Sequence, residues 1–284
     1  MGMSGIETTA EAELLSVSSR IEGSPRRERE PSRLWLGVAS LALLLGGWWL
    51  LAHSGWVPAL FLPAPEAVLN KLFVVAGQGF MDATLWQHLE ASLQRIALAL
   101  MAAAAVGVPL GALMGRSRLA QGLLDPMLEA YRPVPPLAYL PLIVIWFGIG
   151  ELSKVLLIFL AILAPVVIAT RHGVAQVSRN RLRAAQSLGA SRAQLLWLVV
   201  LPEALPQILT GIRIGLGAGW STLVAAELVA ATRGLGFMVQ SAAQFLVTDV
   251  VVLGILVIAA VAFALELGLR ALQRRLAPWH GQQD

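Results

Sequence analysis

Four stretches of this chain run for sixteen or more residues without an ionisable side chain, at residues 34–52, 96–114, 155–170 and 250–265. A fifth, 214–232, is interrupted only by Glu227, and a sixth falls within 123–149 with charges near its start. A bilayer's hydrocarbon core of about 30 Å is crossed by roughly 20 such residues in a helix. A soluble fold has no place to hide them all: 57% of the residues are hydrophobic and 13% charged, against about 25% charged in an ordinary soluble domain. The sequence therefore predicts an all-α integral membrane protein with six transmembrane helices.

Six crossings put both termini on one side. Fifteen arginines, among them Arg20, Arg33, Arg116, Arg171, Arg183 and Arg275, fall on that side, and only Lys71, Lys154 and Arg233 on the other. Basic residues accumulate on the cytoplasmic face of membrane proteins, so both termini are expected to be cytoplasmic. Residues 1–33, with ten charges in the first thirty, read as a polar cytoplasmic tail and not as a cleavable signal peptide. Residues 34–272 form the six-helix membrane domain, with a cytoplasmic loop at about 171–206, and 273–284 form a second cytoplasmic tail. The net charge of +4 is thereby explained by orientation and calls for no nucleic acid. On the outside, at 54–90, the turn Leu62-Pro63-Ala64-Pro65-Glu66 leads into a short amphipathic helix carrying Val68, Leu69 and Leu72, expected to lie on the bilayer.

Several chemistries are excluded. With no cysteine there is no disulfide framework, thiolate metal site or thiol nucleophile. The four histidines are scattered without metal-ligand spacing. A phosphate-binding loop needs lysine directly after glycine, and the two lysines here follow Asn70 and Ser153. No catalytic residue, metal or cofactor is expected in this chain, and if ATP drives it, another subunit binds the nucleotide.

The loop between the fourth and fifth crossings carries the most specific pattern. Residues 184–188 are good helix formers, Gly189 suits a left-handed helix C-cap, and Ser191 with Gln194 forms a capping box for a second helix that Leu201-Pro202 is expected to stop. That second helix would gather Ala193, Leu196, Trp197 and Val200 into one apolar stripe. Two readings stand on these residues alone: an amphipathic hairpin on the membrane surface, or a docking element for a partner.

The same residues resemble the signature of permease subunits of ATP-binding-cassette importers: Glu-Ala-Ala, three residues, Gly, nine residues, Ile-x-Leu-Pro. The chain matches it without gaps at Ala184, Ala185, Gly189, Leu201 and Pro202, with Val199 at the isoleucine position. It departs at Arg183, where the pattern has glutamate. Arg132-Pro133-Val134-Pro135-Pro136, Trp146-Phe147-Gly148-Ile149-Gly150-Glu151 and Gly217-Ala218-Gly219-Trp220-Ser221 extend the likeness to the nitrate, sulfonate and taurine permeases, the last segment being most like the taurine permeases. The resemblance covers roughly residues 34–281. It implies a type I importer permease in the bacterial cytoplasmic membrane, working as a homodimer with two ATP-binding subunits that hold ATP and Mg. It also implies an extracytoplasmic solute-binding protein delivering taurine or a related alkanesulfonate. Arg183, Ala184, Ala185, Gly189, Ala190, Leu201 and Pro202 would then couple the permease to its ATPase.

Charges inside a crossing are costly, about 2.5–3.5 kcal/mol each on insertion scales, and so mark function or pairing. Glu129 and Arg132, three apart on one helix, are expected to pair with each other or to line the translocation path. Glu227, among the small residues Ala225, Ala226 and Ala230, either lines the path or buttresses a helix contact. Arg95 and Arg213, at span ends, are expected to snorkel to the headgroups. The rival class is a self-contained secondary transporter of a small anion, using carboxylates at broken helices; no inverted repeat accompanies them here.

Overall fold

The computed structural model describes residues 33–278, so the expected polar tail lies outside the described residues except for Arg33, as do 279–284 of the second tail. The chain divides between Ser54 and Gly55 into two compact units. The first contains α1 (Arg33–His53), whose described side chains are all exposed or half-exposed and apolar on every face, as a lipid-facing helix requires.

The second unit runs α2 (Pro65–Gly77), α3 (Leu85–Arg116), α4 (Arg118–Tyr131), a 3₁₀ turn (Pro136–Tyr139), α5 (Leu140–Phe147), α6 (Glu151–Ala175), α7 (Arg179–Ser187), α8 (Arg192–Gln194), a π-helical segment (Leu195–Val200), α9 (Leu201–Ala230), α10 (Leu235–Gln244) and α11 (Thr248–Leu276). Among the described residues five helices are long and apolar enough to cross a membrane: Trp35–His53, Leu85–Arg116, Glu151–Ala175, Arg192–Val229 and Thr248–Leu276. The fold is all-α and multi-pass.

Its core is the packing of α3, α6 and α9, and small residues set how close they come. A Cβ on Gly111 of α3 would lie 2.6 Å from the Thr170 Cβ and 2.5 Å from the Val167 carbonyl oxygen, so only a hydrogen fits there. Gly107 faces Val166 and Gly115 faces Val174, which makes α3 and α6 run side by side in the same direction. Along α9 the order reverses, with Gly211 against Pro165 and Gly219 against Ile162, so α9 is antiparallel to both.

The crossing expected within 123–149 is not one continuous helix. Pro133, Pro135 and Pro136 each lack an N–H, and Pro135, which precedes another proline, is extended at ψ 130°, so α4 ends at Tyr131 and the chain resumes as a 3₁₀ turn and α5. Even so, this segment climbs along α6. Asp125 pairs with Arg171 near the end of α6, the Tyr131 hydroxyl donates to the Leu160 carbonyl, and Leu140 and Ile143 pack with Leu157 and Ala226.

The outer helix α2 starts at Pro65, where a missing N–H is harmless in the first turn. It buries Val68 and Val75, leaves Leu69 exposed, and is tied to α11 by Lys71–Asp249 at 3.2 Å. At the other end of α11, Arg213 reaches Glu266 at 3.5 Å, so it has a protein partner where a snorkelling side chain was expected.

Candidate functional site

The hairpin after α6 is built by its own caps. α7 closes in a Schellman motif: Ala190 N–H donates to the Ala185 carbonyl at 3.1 Å, and Gly189 N–H to that of Gln186 at 2.9 Å. Gly189 has φ +83°, the left-handed conformation its position predicts. The next helix opens on the Ser191–Gln194 capping box, with the Ser191 Oγ accepting from Gln194 N–H at 3.3 Å and Gln194 Oε1 from Ser191 N–H at 2.8 Å. The tip is bare, with Leu188 90% exposed and Arg183, Ala184 and Gly189 also exposed, while Ala185, Ala190 and Leu201 are half-buried.

Two expectations for this hairpin need correction. The buried residues are Leu195 and Val200, while Ala193 and Trp197 face outward. The reason is the π-helical segment, in which i→i+5 bonding brings residues five apart onto one face, as in the Leu201 N–H bond to the Leu196 carbonyl. Nor does Leu201-Pro202 end the helix. Pro202 stands in the first turn of α9, which continues the helical path. The root of the hairpin is fastened by Glu203, whose carboxylate accepts from Ser178 N–H at 3.3 Å and pairs with Arg181 at 3.1 Å. Val174, Val177, Val200, Ala204 and Ile208 pack with Ala112 of α3 beneath it.

At the opposite end of α3 sits a buried cluster of charge. His88, Ser92 and Arg95 occupy one stripe of α3 and are buried. The Arg95 guanidinium binds Glu151 through two bonds of 2.6 and 2.8 Å, and through Nη1 it donates to Glu227 and to the Arg233 carbonyl, both at 2.7 Å. Glu227, fully buried, also accepts from Ser92 Oγ at 2.8 Å and from Gly236 N–H at 2.8 Å. Lys154, itself buried, reaches Glu151 at 2.7 Å. Gly234 N–H donates to His88 Nδ1 at 3.1 Å, so the ring proton sits on Nε2, 3.2 Å from the Phe80 carbonyl. Gly234, at φ +135°, leaves no room for a Cβ, which would fall 2.5 Å from a Glu227 carboxylate oxygen.

Arg95 is thus turned inward, against the expectation that it snorkels, because two carboxylates offer more than the headgroups do. The bonds of Glu227 join α9 to α3 and to the start of α10. Glu129 and Arg132 are both exposed and form no ion pair with each other among the described residues. Arg132 instead lines an open cavity of about 570 Å³ beside α6 and α9, with Tyr131, His172, Gln176, Gln207, Thr210 and Thr222 in its walls. Among the described residues no group of three or more His, Asp or Glu side chains is placed to hold a metal.

Residues 107–278, more than half of the chain, match the family described as the binding-protein-dependent transport system inner membrane component. The chain belongs to this permease family. It is 68% identical over 248 residues to the taurine transport system permease protein TauC of Escherichia coli, covering 87% of this chain and 90% of that one. It is 31% identical over 265 residues to the nitrate import permease protein NrtB of Synechocystis, covering 89% and 95%. Its fold is shared with a chain of the MetNI methionine ABC transporter, with a TM-score of 0.61 at 16% identity, covering 69% of this chain and 99% of that one. The family match takes in the hairpin, Glu151, Lys154 and Glu227 of the permease but begins after His88, Ser92 and Arg95. Those three stand at i, i+4 and i+7, the spacing of one helix face, which is the sequence signal that could have linked them to Glu227.

Proposed function

We propose that the chain is the membrane-spanning subunit of an ATP-driven importer that carries taurine or a related alkanesulfonate across the bacterial cytoplasmic membrane. The observation that carries this is the 68% identity to a taurine permease across nearly the whole of both chains. The chain is a transport subunit and not an enzyme, and ATP with Mg belongs to a separate ATPase subunit. Two such subunits, a second copy of the permease and an extracytoplasmic solute-binding protein complete the assembly, as the family resemblance implies.

In this reading the chain makes six crossings. α3 and α6 run parallel, so the 34 residues between Arg116 and Glu151 must return the chain from one membrane face to the other. The broken path through α4 and α5 is then the remaining crossing, the membrane domain runs over 34–272, and both termini are cytoplasmic. The hairpin faces the cytoplasm, where Arg183, Ala184, Ala185, Gly189, Ala190, Leu201 and Pro202 would seat on the ATPase. A secondary transporter needs a carboxylate free to bind its coupling ion, and Glu227 is already taken up by Arg95, Ser92 and Gly236.

The test is reconstitution. Proteoliposomes containing the permease, its ATPase subunits and its binding protein are expected to accumulate taurine only when MgATP is supplied. Uptake driven by an ion gradient, with this chain alone in the membrane, would overturn the reading.

A further inference from the structure

The cavity beside α6 and α9 has an uneven chemistry. Its walls are mostly apolar, with the amides of Gln176 and Gln207, the hydroxyls of Thr210 and Thr222, and His172. No aspartate or glutamate lines it, and Arg132 is its single arginine or lysine. Arg132 also stands beside the middle of α6, where its neighbour Tyr131 reaches Leu160. Arg95, Arg171, Arg213 and Arg270 each touch a carboxylate, whereas the Arg132 guanidinium makes no hydrogen bond or ion pair among the described residues. Arg132 is exposed at the cavity wall, where α4 has ended and the prolines begin.

We propose that this cavity is an anion-reading site on the translocation path, and that Arg132 receives the sulfonate group of the passing solute. The proposal rests on the reading of the chain as a sulfonate permease. A sulfonate is a permanent anion with three oxygens, and the planar guanidinium can donate two parallel hydrogen bonds to a pair of them. Gln176 and Gln207 supply further neutral donors. An ammonium at the far end of the solute meets only neutral acceptors, so the cavity reads the anion and leaves recognition of the amine to the binding protein. At about 570 Å³ the site keeps a small sulfonate partly hydrated, which suits a transit site that must release what it binds.

Taurine uptake and ATP hydrolysis are measured side by side in proteoliposomes carrying the whole assembly, for wild type, Arg132→Gln, Arg132→Lys and Arg132→Glu. Losing a charge-assisted bond predicts uptake lower by roughly ten- to a hundredfold in Arg132→Gln, and lower still in Arg132→Glu. Arg132→Lys keeps the charge but not the two-pronged fork, so its uptake is expected to fall between those of wild type and Arg132→Gln. Hydrolysis stimulated by loaded binding protein is expected to stay within about twofold of wild type in all of them, as for a surface change that leaves assembly intact. Normal uptake by Arg132→Gln overturns the proposal. So does joint loss of uptake, stimulated hydrolysis and co-purifying ATPase, which marks Arg132 as structural. A wild-type assembly that ignores taurine but imports another anion refutes the taurine reading separately, and the Arg132 series is then scored on that anion with the same criteria.

Discussion

Glu227 is an acidic group with no exposure to water, and its surroundings explain how the fold holds it there. Ser92, Gly236 and Arg95 each donate to its carboxylate, and Arg95 is shared with Glu151, which is 64% exposed. Removing one partner of a buried, hydrogen-bonded ion pair typically costs about 3–5 kcal/mol, because the other charge is left buried and uncompensated. Glu227→Ala is therefore expected to lower the melting temperature of the detergent-solubilised permease strongly. Glu151→Gln is expected to do so weakly, since Arg95 keeps Glu227, solvent already reaches Glu151, and the amide oxygen still accepts from the buried Lys154. Equal destabilisation by the two, measured by intrinsic tryptophan fluorescence on heating, would show that the cluster is not anchored on Glu227. Glu227 was legible in the sequence as an isolated acid in an apolar run. Arg95 was not, since it stands at the first turn of such a run, where bending toward the headgroups is the default for a long cationic side chain. Only the tertiary return of α9 and of the Gly234 turn brings its partners within reach.

At the scale of elements, two glycines show different reasons for the same residue. Nothing lies within 4 Å of a Cβ built on Gly189, so its only constraint is φ +83°. A side chain there costs roughly 1–2 kcal/mol in the left-handed region, more if β-branched. Gly189→Val is expected to open the Schellman turn while the permease still inserts, so that the protein reaches the membrane at normal levels but loses its ATPase on purification. Gly111 has an ordinary φ and no space, and even Gly111→Ala must push α6 away from α3. Gly111→Ala is expected to lower the yield of folded permease, read as the monodisperse fraction in size-exclusion chromatography, while Gly189→Ala leaves it unchanged. The caps of the hairpin could be read from Gly189, Ser191 and Gln194 because capping is local. Its buried face could not, because a period of 3.6 residues does not hold where Leu195–Val200 is π-helical. Pro202 bears on this, since it cannot donate to the Leu198 carbonyl and so removes one of the bonds that would hold the α-helical register.

For the whole molecule, the direction of each helix decides what the permease can do. The apolar runs located the long helices from composition alone, but the path through 118–147 was hidden by its prolines. Its direction emerges only from contacts: Asp125 beside Arg171, Tyr131 at Leu160, Leu140 with Leu157. If that path crosses the membrane, Arg118, just past the end of α3, and the Glu151 cluster lie on opposite faces. If it does not, α3 and α6 could not run parallel with their starts together. Single-cysteine labelling separates these outcomes, and the chain has no native cysteine to confuse it. Arg118→Cys, exposed where the path begins, is expected to resist an impermeant maleimide in intact cells and to react once the cytoplasmic face is opened. Leu152→Cys, beside Glu151 and 60% exposed, is expected to react from outside without permeabilisation. Labelling of both positions from the same side would remove the crossing through α4 and α5, and with it the cytoplasmic placement of the hairpin on which an ATP-driven mechanism depends.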